Sequence, residues 1–460
     1  MVKQVSVGLV GFGTVGSGVA RILLERRQEL SMRAGVEIEL KRIVDIDLHS
    51  DRGVVLPPGM LTDSLQSVLD DPQITVVIEL VGGTGVARKI VLEALARGKA
   101  VVTANKALLA VHGREILEAA SLHGTSVSFE ASTAGGVPVI MALRDGLVAN
   151  RVQSITAILN GTANYILTRM TESHVRYETA LTEAQSLGYA EADPSLDVNG
   201  VDSAHKLAIL ARIGFGIDFD FEQIYCQGIA GIDLADVEYA GELGYVIKLL
   251  AIARRLSPDD AQRAGAELDL RVHPSLVPAQ SVLAGVRGAN NAVLIRGDAV
   301  GNILLHGRGA GRMPTASAVV GDIIDVALGK AKITFDSFRV FPGRIPTQAL
   351  VDISHIRGSY YVRFSVLDQP GVLAGIAGVL ATHRLSILSV IQKEARTTGS
   401  VPIVMMTDLS EESGMAGAMA EIDRMPFVTA PSIWLRVERP LDNGQADLVE
   451  REEPGKSGKR

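Results

Sequence analysis

The chain has 460 residues, 47% of them hydrophobic and 4% aromatic, enough apolar material for several buried cores and a length that points to two to four domains. A net charge of -7, with the basic residues dispersed, excludes a general nucleic-acid binder and points to a small-molecule partner. A single cysteine, Cys226, excludes an intrachain disulfide framework, the run from Val5 to Val10 is too short for an export core, and no apolar run reaches the roughly 18 residues needed to span a bilayer, so a cytoplasmic location is expected.

Residues 2 to 10, VKQVSVGLV, form an apolar strand pattern that runs into Gly11-Phe12-Gly13-Thr14-Val15-Gly16 and then into helical spacing at Val19, Ile22, Leu23 and Leu30. A dinucleotide needs such a strand, glycine turn and helix. Gly11 permits the tight turn, Gly13 lets a pyrophosphate approach the backbone, Gly16 brings helix and strand together, and the helix N-terminus faces the phosphates. Further strands are expected near 36 to 44, 74 to 81, 99 to 103 and 125 to 129, separated by helices, which gives a Rossmann-type α/β unit. The end of the second strand, Ile43-Val44-Asp45-Ile46-Asp47, should meet the adenosine ribose, where Asp45 would favour NAD. Asp45 lies farther from Gly16 than the roughly 20 residues usual for that role, in keeping with a polar insertion at Gln28 to Gly35. Arg52 could reach a 2′-phosphate, so NADP stays open.

Next, Val101-Val102-Thr103-Ala104-Asn105-Lys106 places Lys106 just past the carboxyl end of a strand, the edge of an open α/β sheet where ligands bind. Lys106 could neutralise a substrate carboxylate, orient a carbonyl or relay a proton. The Gly-rich turn FEASTAGGVP, 129 to 138, could offer bare carbonyls to a hard cation, line the cofactor cleft, or merely turn the chain.

Residues 136 to about 305 should form an α/β substrate domain with helices near 137 to 148, 162 to 170, 177 to 187, 201 to 212 and 243 to 254, and with strands that pair across subunits. Its most informative stretch is GYAEADPSLDVNGVDSAHKLAILA, 188 to 211, where Glu191, Asp193, Asp197 and Asp202 gather around Lys206. Ala204, Leu207, Ala208 and Ala211 give helical spacing, so Asp202 and Lys206 share one face, a turn apart. Such crowded acids are costly unless they meet cations, a metal or an amino group. His205 falls on another face and reads as a packing or surface residue, and Cys226, in an apolar setting with no histidine near in sequence, reads as a core residue.

Residues 360 to 437 read as strand, helix, two strands, helix and strand, a ferredoxin-like βαββαβ order. The turn Asp368-Gln369-Pro370-Gly371-Val372-Leu373-Ala374 and the following ILSVIQ resemble an ACT domain, a module that binds amino acids, usually between two copies. Asp368, Gly371, Val372 and Leu373 are the expected effector residues, with the helix N-terminus offering donors to a carboxylate. After Pro440 the sequence is polar and charged, and 440 to 460 is expected to be a disordered tail.

Six motifs in order, GLVGFGTVGSGV, VTANKALLA, FEASTAGGVP, ILNGTANYIL, GYAEADPSLDVNGVDSAHKLAIL and GRGAGRMPTASAVVGDIID, resemble homoserine dehydrogenase of the regulated bacterial type, from Gly8 to about Val437. The resemblance implies hydride transfer between L-homoserine and L-aspartate 4-semialdehyde with NAD or NADP, on the branch toward threonine and methionine, with feedback inhibition by L-threonine. It implies Lys206 as proton donor and acceptor, Asp202 as the residue that positions it, Lys106 as the second active-site lysine, and Glu191 with Asp197 for the substrate amino group. Asn160, Gly161 and Thr162 would contact substrate, while Glu130, Thr133, Gly135 and Val137 would hold a monovalent cation, sodium or potassium. Phe12, Thr14, Val15, Thr103 and Gly311 join the cofactor set. The arginine that NADP-preferring members often carry at the position of Ile46 is absent here.

The expected layout is a dinucleotide-binding domain at 1–135 and 306–340, a substrate and dimerisation domain at 136–305, and an ACT domain at 356–437, assembled as a homodimer or homotetramer. One alternative is a sensor that binds nucleotide and amino acid without turnover. Another is the dehydrogenase acting on an acyl phosphate, which needs a thiolate nucleophile that Cys226 does not supply.

Overall fold

The computed structural model describes residues 3–337, 347–392 and 400–438. The first sheet is wholly parallel: β1 (Lys3–Val10), β2 (Val36–Val44), β3 (Leu61–Thr62), β4 (Ile74–Glu79), β5 (Ala100–Thr103) and β6 (Val127–Ser128) lie in the order β3-β2-β1-β4-β5-β6. Between them run α1 (Thr14–Glu25), α2 (Arg27–Ala34), α3 (Gln66–Leu69), α4 (Val86–Ala96) and α5 (Lys106–Leu122). Helices cover both faces, so β1, β4 and β5 are nearly continuous apolar runs. Val7 and Leu9 pack with Val19 and Leu23 of α1 on one face, while Val77 and Val101 pack with Ile90 and Leu95 of α4 on the other. The strand order reverses direction at β1, which opens a crevice between β1 and β4 at their carboxyl ends.

The chain then builds an antiparallel sheet from β7 (Val152–Ile158), β9 (Tyr245–Arg255), β10 (Leu268–Pro278), β11 (Asn290–Gly297) and β12 (Gly301–Arg308), with β8 (Tyr225–Cys226) paired to β10. The intervening helices are α6 (Val139–Met141), α7 (Gly161–Ser173), α8 (Tyr177–Ser186), α9 (Ser195–Val198), α10 (Val201–Phe215), α11 (Leu234–Glu242) and α12 (Pro258–Ala264). The helix expected at 243 to 254 is instead β9, a central strand. Ile247, Leu249, Leu250, Ala251, Ile252 and Ala253 are all buried, and a strand covered on both faces loses the alternation that would mark it in sequence. The helix expected at 137 to 148 reduces to α6 and a π turn at Ala142–Gly146. Afterwards α13 (Arg312–Ala327) returns to the first sheet, where Val319 and Ile323 join the core with α1, and α14 (Lys330–Ser337) follows.

The last unit comprises β13 (Arg357–Val366), α15 (Val372–Thr382), β14 (Ile387–Gln392), β15 (Val401–Thr407), the short β16 (Ser410–Glu411), α16 (Glu412–Ile422) and β17 (Val428–Val437). The spatial order β17-β13-β15-β14 is that of a ferredoxin-like sheet. This sheet does not stand apart. β17 pairs in parallel with β10, Ser275 opposite Arg436 and Leu276 opposite Val437, so the two sheets form one continuous surface. The expected tail at 440 to 460 lies outside the described residues. Among the described residues no helix is long and apolar enough to cross a membrane.

Candidate active site

The glycine turn closes β1 and opens α1. Gly11 has φ 100° and passes so close to β4 that a Cβ would stand 2.6 Å from the Leu80 carbonyl carbon, and one on Gly16 would stand 2.0 Å from the Gly11 oxygen. Gly13, by contrast, faces open space, and α1 has neither a side-chain cap nor an acid in its first turn. The N–H groups of Thr14, Val15 and Gly16 therefore meet that space uncapped, which suits a pyrophosphate. Phe12 is buried, and its N–H donates to Asp45 Oδ2 at 2.5 Å, while Asp45 Oδ1 accepts from the Asp47 N–H at 2.9 Å. Arg52 pairs with Asp47 at 2.8 Å. Gly311, φ 119°, starts α13 beside α1, since a Cβ on Gly18 would approach the Arg312 carbonyl at 2.8 Å.

Thr103, fully buried at the end of β5, donates its hydroxyl to Glu79 Oε2 at 2.6 Å. Glu79 Oε1 in turn accepts the N–H of Val81 at 2.8 Å and of Gly82 at 3.2 Å. Sequence reasoning missed Glu79, a completely buried carboxylate that shapes the loop beside the glycine turn. The available signal was a lone acid closing the apolar strand ITVVIE at the ligand-binding edge.

Three helix starts converge on one carboxylate. Asn105 caps α5 by accepting the Leu108 N–H at 3.1 Å, which places Lys106 as the first helical residue. Asn160 caps α7 by accepting the Ala163 N–H at 2.7 Å. Gly200, φ 85°, starts α10, whose first turn carries Asp202. Asp202, 6% exposed, receives Lys206 Nζ on Oδ2 at 2.6 Å and Lys106 Nζ on Oδ1 at 3.0 Å. Lys206 also donates to the Leu159 carbonyl at 2.7 Å. The Asn160 amide nitrogen bridges Asp202 Oδ2 at 2.9 Å and Asp197 Oδ1 at 2.6 Å. Asparagine suits this position because its carbonyl caps the helix while its amide grips two acids. Thr162, the second residue of α7, donates to the Tyr189 carbonyl at 2.5 Å and so ties α7 to the acidic loop.

Burial and mutual charge set the protonation of this cluster. Burial, reinforced by the Lys106 charge, holds the pKa of Lys206 below the ordinary lysine range despite Asp202. Burial also opposes the charge on Lys106, but Asp202, with Asp197 and Glu191, outweighs it and raises that pKa. Burial alone would raise Asp202; the two lysines and Asn160 hold it well below the carboxylate range. Asp197 is pushed up by burial and by the neighbouring Asp202 charge. Glu191 stands exposed at the rim.

The turn after β6 has a separate character. Glu130 accepts the N–H groups of Ile140 and Met141 at 2.9 and 2.8 Å, its own N–H donates to Asp322 at 2.8 Å, and burial raises its pKa. The chain doubles back through Ala134 and Gly135, at φ 53° and 45°, to the buried Val137. The Thr133 hydroxyl is completely buried without a hydrogen-bond partner. Among the described residues no group of three or more His, Cys, Asp or Glu could hold a metal, so a cation here would depend on Thr133 and backbone oxygens.

In the last unit Asp368, Gly371 and Leu373 are exposed at the uncapped start of α15, whereas Val372 points into the core of the unit. Cys226 is exposed, contrary to the core position expected of it, because it ends the short β8 strand, where its thiol meets the Asn199 carbonyl at 3.3 Å. His205 stacks on Phe221, ring centroids 4.9 Å apart.

Residues 11–130 match the homoserine dehydrogenase NAD-binding domain, 138–324 the homoserine dehydrogenase family and 360–427 the ACT domain. The homoserine dehydrogenase of Pseudomonas aeruginosa is 42% identical over 443 residues, covering 95% of this chain and 99% of that protein. That of Neisseria gonorrhoeae is 41% identical over 441 residues, with shares of 95% and 99%. The crystal structure of a homoserine dehydrogenase from Thiobacillus denitrificans superposes with a TM-score of 0.87 at 43% identity, covering 95% of this chain and 98% of that one. A hyperthermophilic archaeal homoserine dehydrogenase in complex with NADPH covers 71% of this chain and 98% of its own at 27% identity and a TM-score of 0.58. The chain belongs to the homoserine dehydrogenase family, as an NAD(P)-dependent oxidoreductase whose last unit is an ACT domain.

Proposed function

We propose that the protein interconverts L-homoserine and L-aspartate 4-semialdehyde at the Lys106–Asp202–Lys206 cluster, on the branch toward threonine and methionine in the cytoplasm. The observation that carries this reading is one buried carboxylate holding two lysines, on Oδ1 and Oδ2. Lys206 has three N–H donors, two of them engaged by Asp202 and Leu159, which leaves one for the reacting oxygen. In alcohol oxidation the neutral amine takes the hydroxyl proton as the aldehyde forms; in reduction the ammonium returns that proton to the developing alkoxide. A bound nicotinamide dinucleotide would supply the hydride acceptor or donor, and the uncapped N–H groups of α1 at the glycine turn would hold its pyrophosphate. Lys106 keeps its positive charge and faces the substrate carboxylate, while Glu191, with Asp197 deeper in the pocket, receives the substrate ammonium. Asn160, Gly161 and Thr162 form the floor.

The unpartnered Thr133 hydroxyl, with the carbonyls of Glu130, Gly135 and Val137, fits a monovalent cation, sodium or potassium. L-Threonine at Asp368, Gly371, Val372 and Leu373 would act as feedback inhibitor, with Val372 contributing backbone groups, and the assembly would be a homodimer or homotetramer. Asp45, held beside the glycine turn by the N–H groups of Phe12 and Asp47, would meet the ribose and disfavour a 2′-phosphate. The test is homoserine-dependent reduction of NAD and of NADP, each with and without L-threonine. Turnover with at least one cofactor, reduced by threonine, is expected; folded protein that binds nucleotide but turns over neither would overturn the reading in favour of an amino-acid sensor.

A further inference from the structure

Lys248, on the central strand β9, is 2% exposed, and among the described residues no carboxylate lies within hydrogen-bond distance of it. Its Nζ donates to Asn164 Oδ1 at 3.0 Å and to the Val286 carbonyl at 2.5 Å. The Asn164 amide then donates to the carbonyls of Gly288 at 2.8 Å and Val286 at 3.2 Å, and the Gly288 N–H returns to the Thr168 hydroxyl at 3.2 Å. The turn 286–288 is thereby fastened to the first two turns of α7. Gly161 rests against the same turn, where a Cβ would stand 2.9 Å from the Ala289 oxygen. At the other end of this stretch Lys206 holds the Leu159 carbonyl, and Asn160 grips Asp197 and Asp202. The segment from Leu159 to Asn164 therefore runs between two buried lysines, each bonded to one end.

We infer that Lys248 is a positioning residue for the reaction: through Asn164 it fixes the first turn of α7, and with it the amide of Asn160 that holds Asp202 against Lys206. An apolar side chain in its place would leave Asn164 Oδ1 buried without its lysine donor and the Val286 carbonyl with only the 3.2 Å bond from the Asn164 amide, and α7 would shift to recover partners. Burial, reinforced by the Arg287 charge and only partly offset by Glu172, holds the Lys248 pKa down at about 8. The amine that remains after titration still carries two N–H groups for its two acceptors, so the fastening survives loss of the charge.

This inference rests on the assignment of Lys206 and Asp202 above, and the test separates the two. Lys248→Met should lower kcat for homoserine oxidation at least about tenfold per folded site, leave the KM for the nicotinamide within about twofold, and move the rising limb of the pH–rate profile to lower pH as Asp202 loosens from Lys206. Asn164→Ala should do the same, and the double variant should be no slower than either single one, because both break one connection. Should Lys248→Met fail to fold, Asn164→Ala carries the test alone. A variant that merely melts earlier, with kcat and the pH limb unchanged, overturns the inference. Lys206→Ala is assayed alongside: near-normal turnover there removes the site assignment and this inference together, whereas a slow Lys206→Ala with an unchanged Lys248→Met removes only the role of Lys248.

Discussion

Arg436, on the strand that joins the ACT sheet to the catalytic sheet, donates from Nη1 to Gln227 Oε1 at 2.9 Å. The next residue, Gly228, lies so close to the active-site loop that a Cβ there would stand 2.1 Å from the Val198 oxygen, and Ile229 donates its N–H to that same oxygen at 2.8 Å. Val198 is followed by Asn199 and the Gly200 that starts the helix of Asp202, so packed backbone runs from the Arg436–Gln227 contact to the helix that carries Asp202. A second contact, Arg363 with Asp236 at 2.6 and 3.0 Å, fixes the ACT sheet to α11, where Asp236 also takes part in the capping box.

Gln227→Ala is predicted to weaken inhibition by L-threonine, because it cuts the Arg436 contact and spares the buried Arg436–Glu412 pair. A coupling residue of this kind is expected to change the half-inhibitory concentration roughly two- to thirtyfold while basal kcat stays near normal. An unchanged inhibition curve removes Gln227 from the route.

Lys206→Ala is predicted to lower kcat by about two to four orders of magnitude in both directions, with little change in cofactor affinity, since the role proposed for the lost group is proton exchange with the reacting oxygen and not binding of the nucleotide. Steady-state rates with a parallel nucleotide-binding titration check both halves of this statement.

The pH dependence follows from the sign of each influence on Lys206. In the proposed mechanism oxidation of homoserine needs the neutral amine, so its rate should rise with pH along a limb centred below the ordinary lysine pKa of about 10.4, because burial lowers that pKa. Asp202 raises it, so Asp202→Asn should move the limb to still lower pH while lowering the maximal rate. A limb that moves upward in Asp202→Asn would show that the titrating group is not Lys206.

Gly13→Ala and Gly16→Ala should part company. A methyl on Gly13 meets nothing in the protein itself, so thermal stability should hold while cofactor affinity falls, whereas the methyl on Gly16 collides with the Gly11 oxygen and should lower both. Melting curves and nucleotide titrations of the two variants decide it; equal cofactor affinity in Gly13→Ala and the unmodified protein would contradict the phosphate-approach reading.

Lys248 also makes a stability prediction that needs no substrate. Its pKa of about 8 in the folded protein lies below the unfolded value, so the folded state binds fewer protons between those two limits and stability gains with rising pH there. The gain, roughly 2.5 kcal/mol by about pH 10 relative to pH 7, should be absent from Lys248→Met. Denaturant midpoints at the two pH values, compared between the proteins, test it; parallel behaviour would mean that Lys248 is not held in a depressed state.

The sequence by itself determined whatever depends on neighbours along the chain. The glycine turn after β1, the four-residue step from Asp202 to Lys206 on α10 and the βαββαβ order of the last unit each rest on local spacing, and spacing is legible because helices and strands have fixed periods. Only the tertiary structure decided that Lys106 and Asn160 meet Asp202, that Glu79 is a buried partner of Thr103, that Lys248 supports α7, and that β17 extends β10. It also decided that 245 to 255 is a strand, since a segment buried on both faces carries no polar alternation to distinguish it from a helix. Contacts between residues far apart in the chain depend on how sheets and helix ends are stacked, and no local period encodes which distant carboxylate a lysine will find.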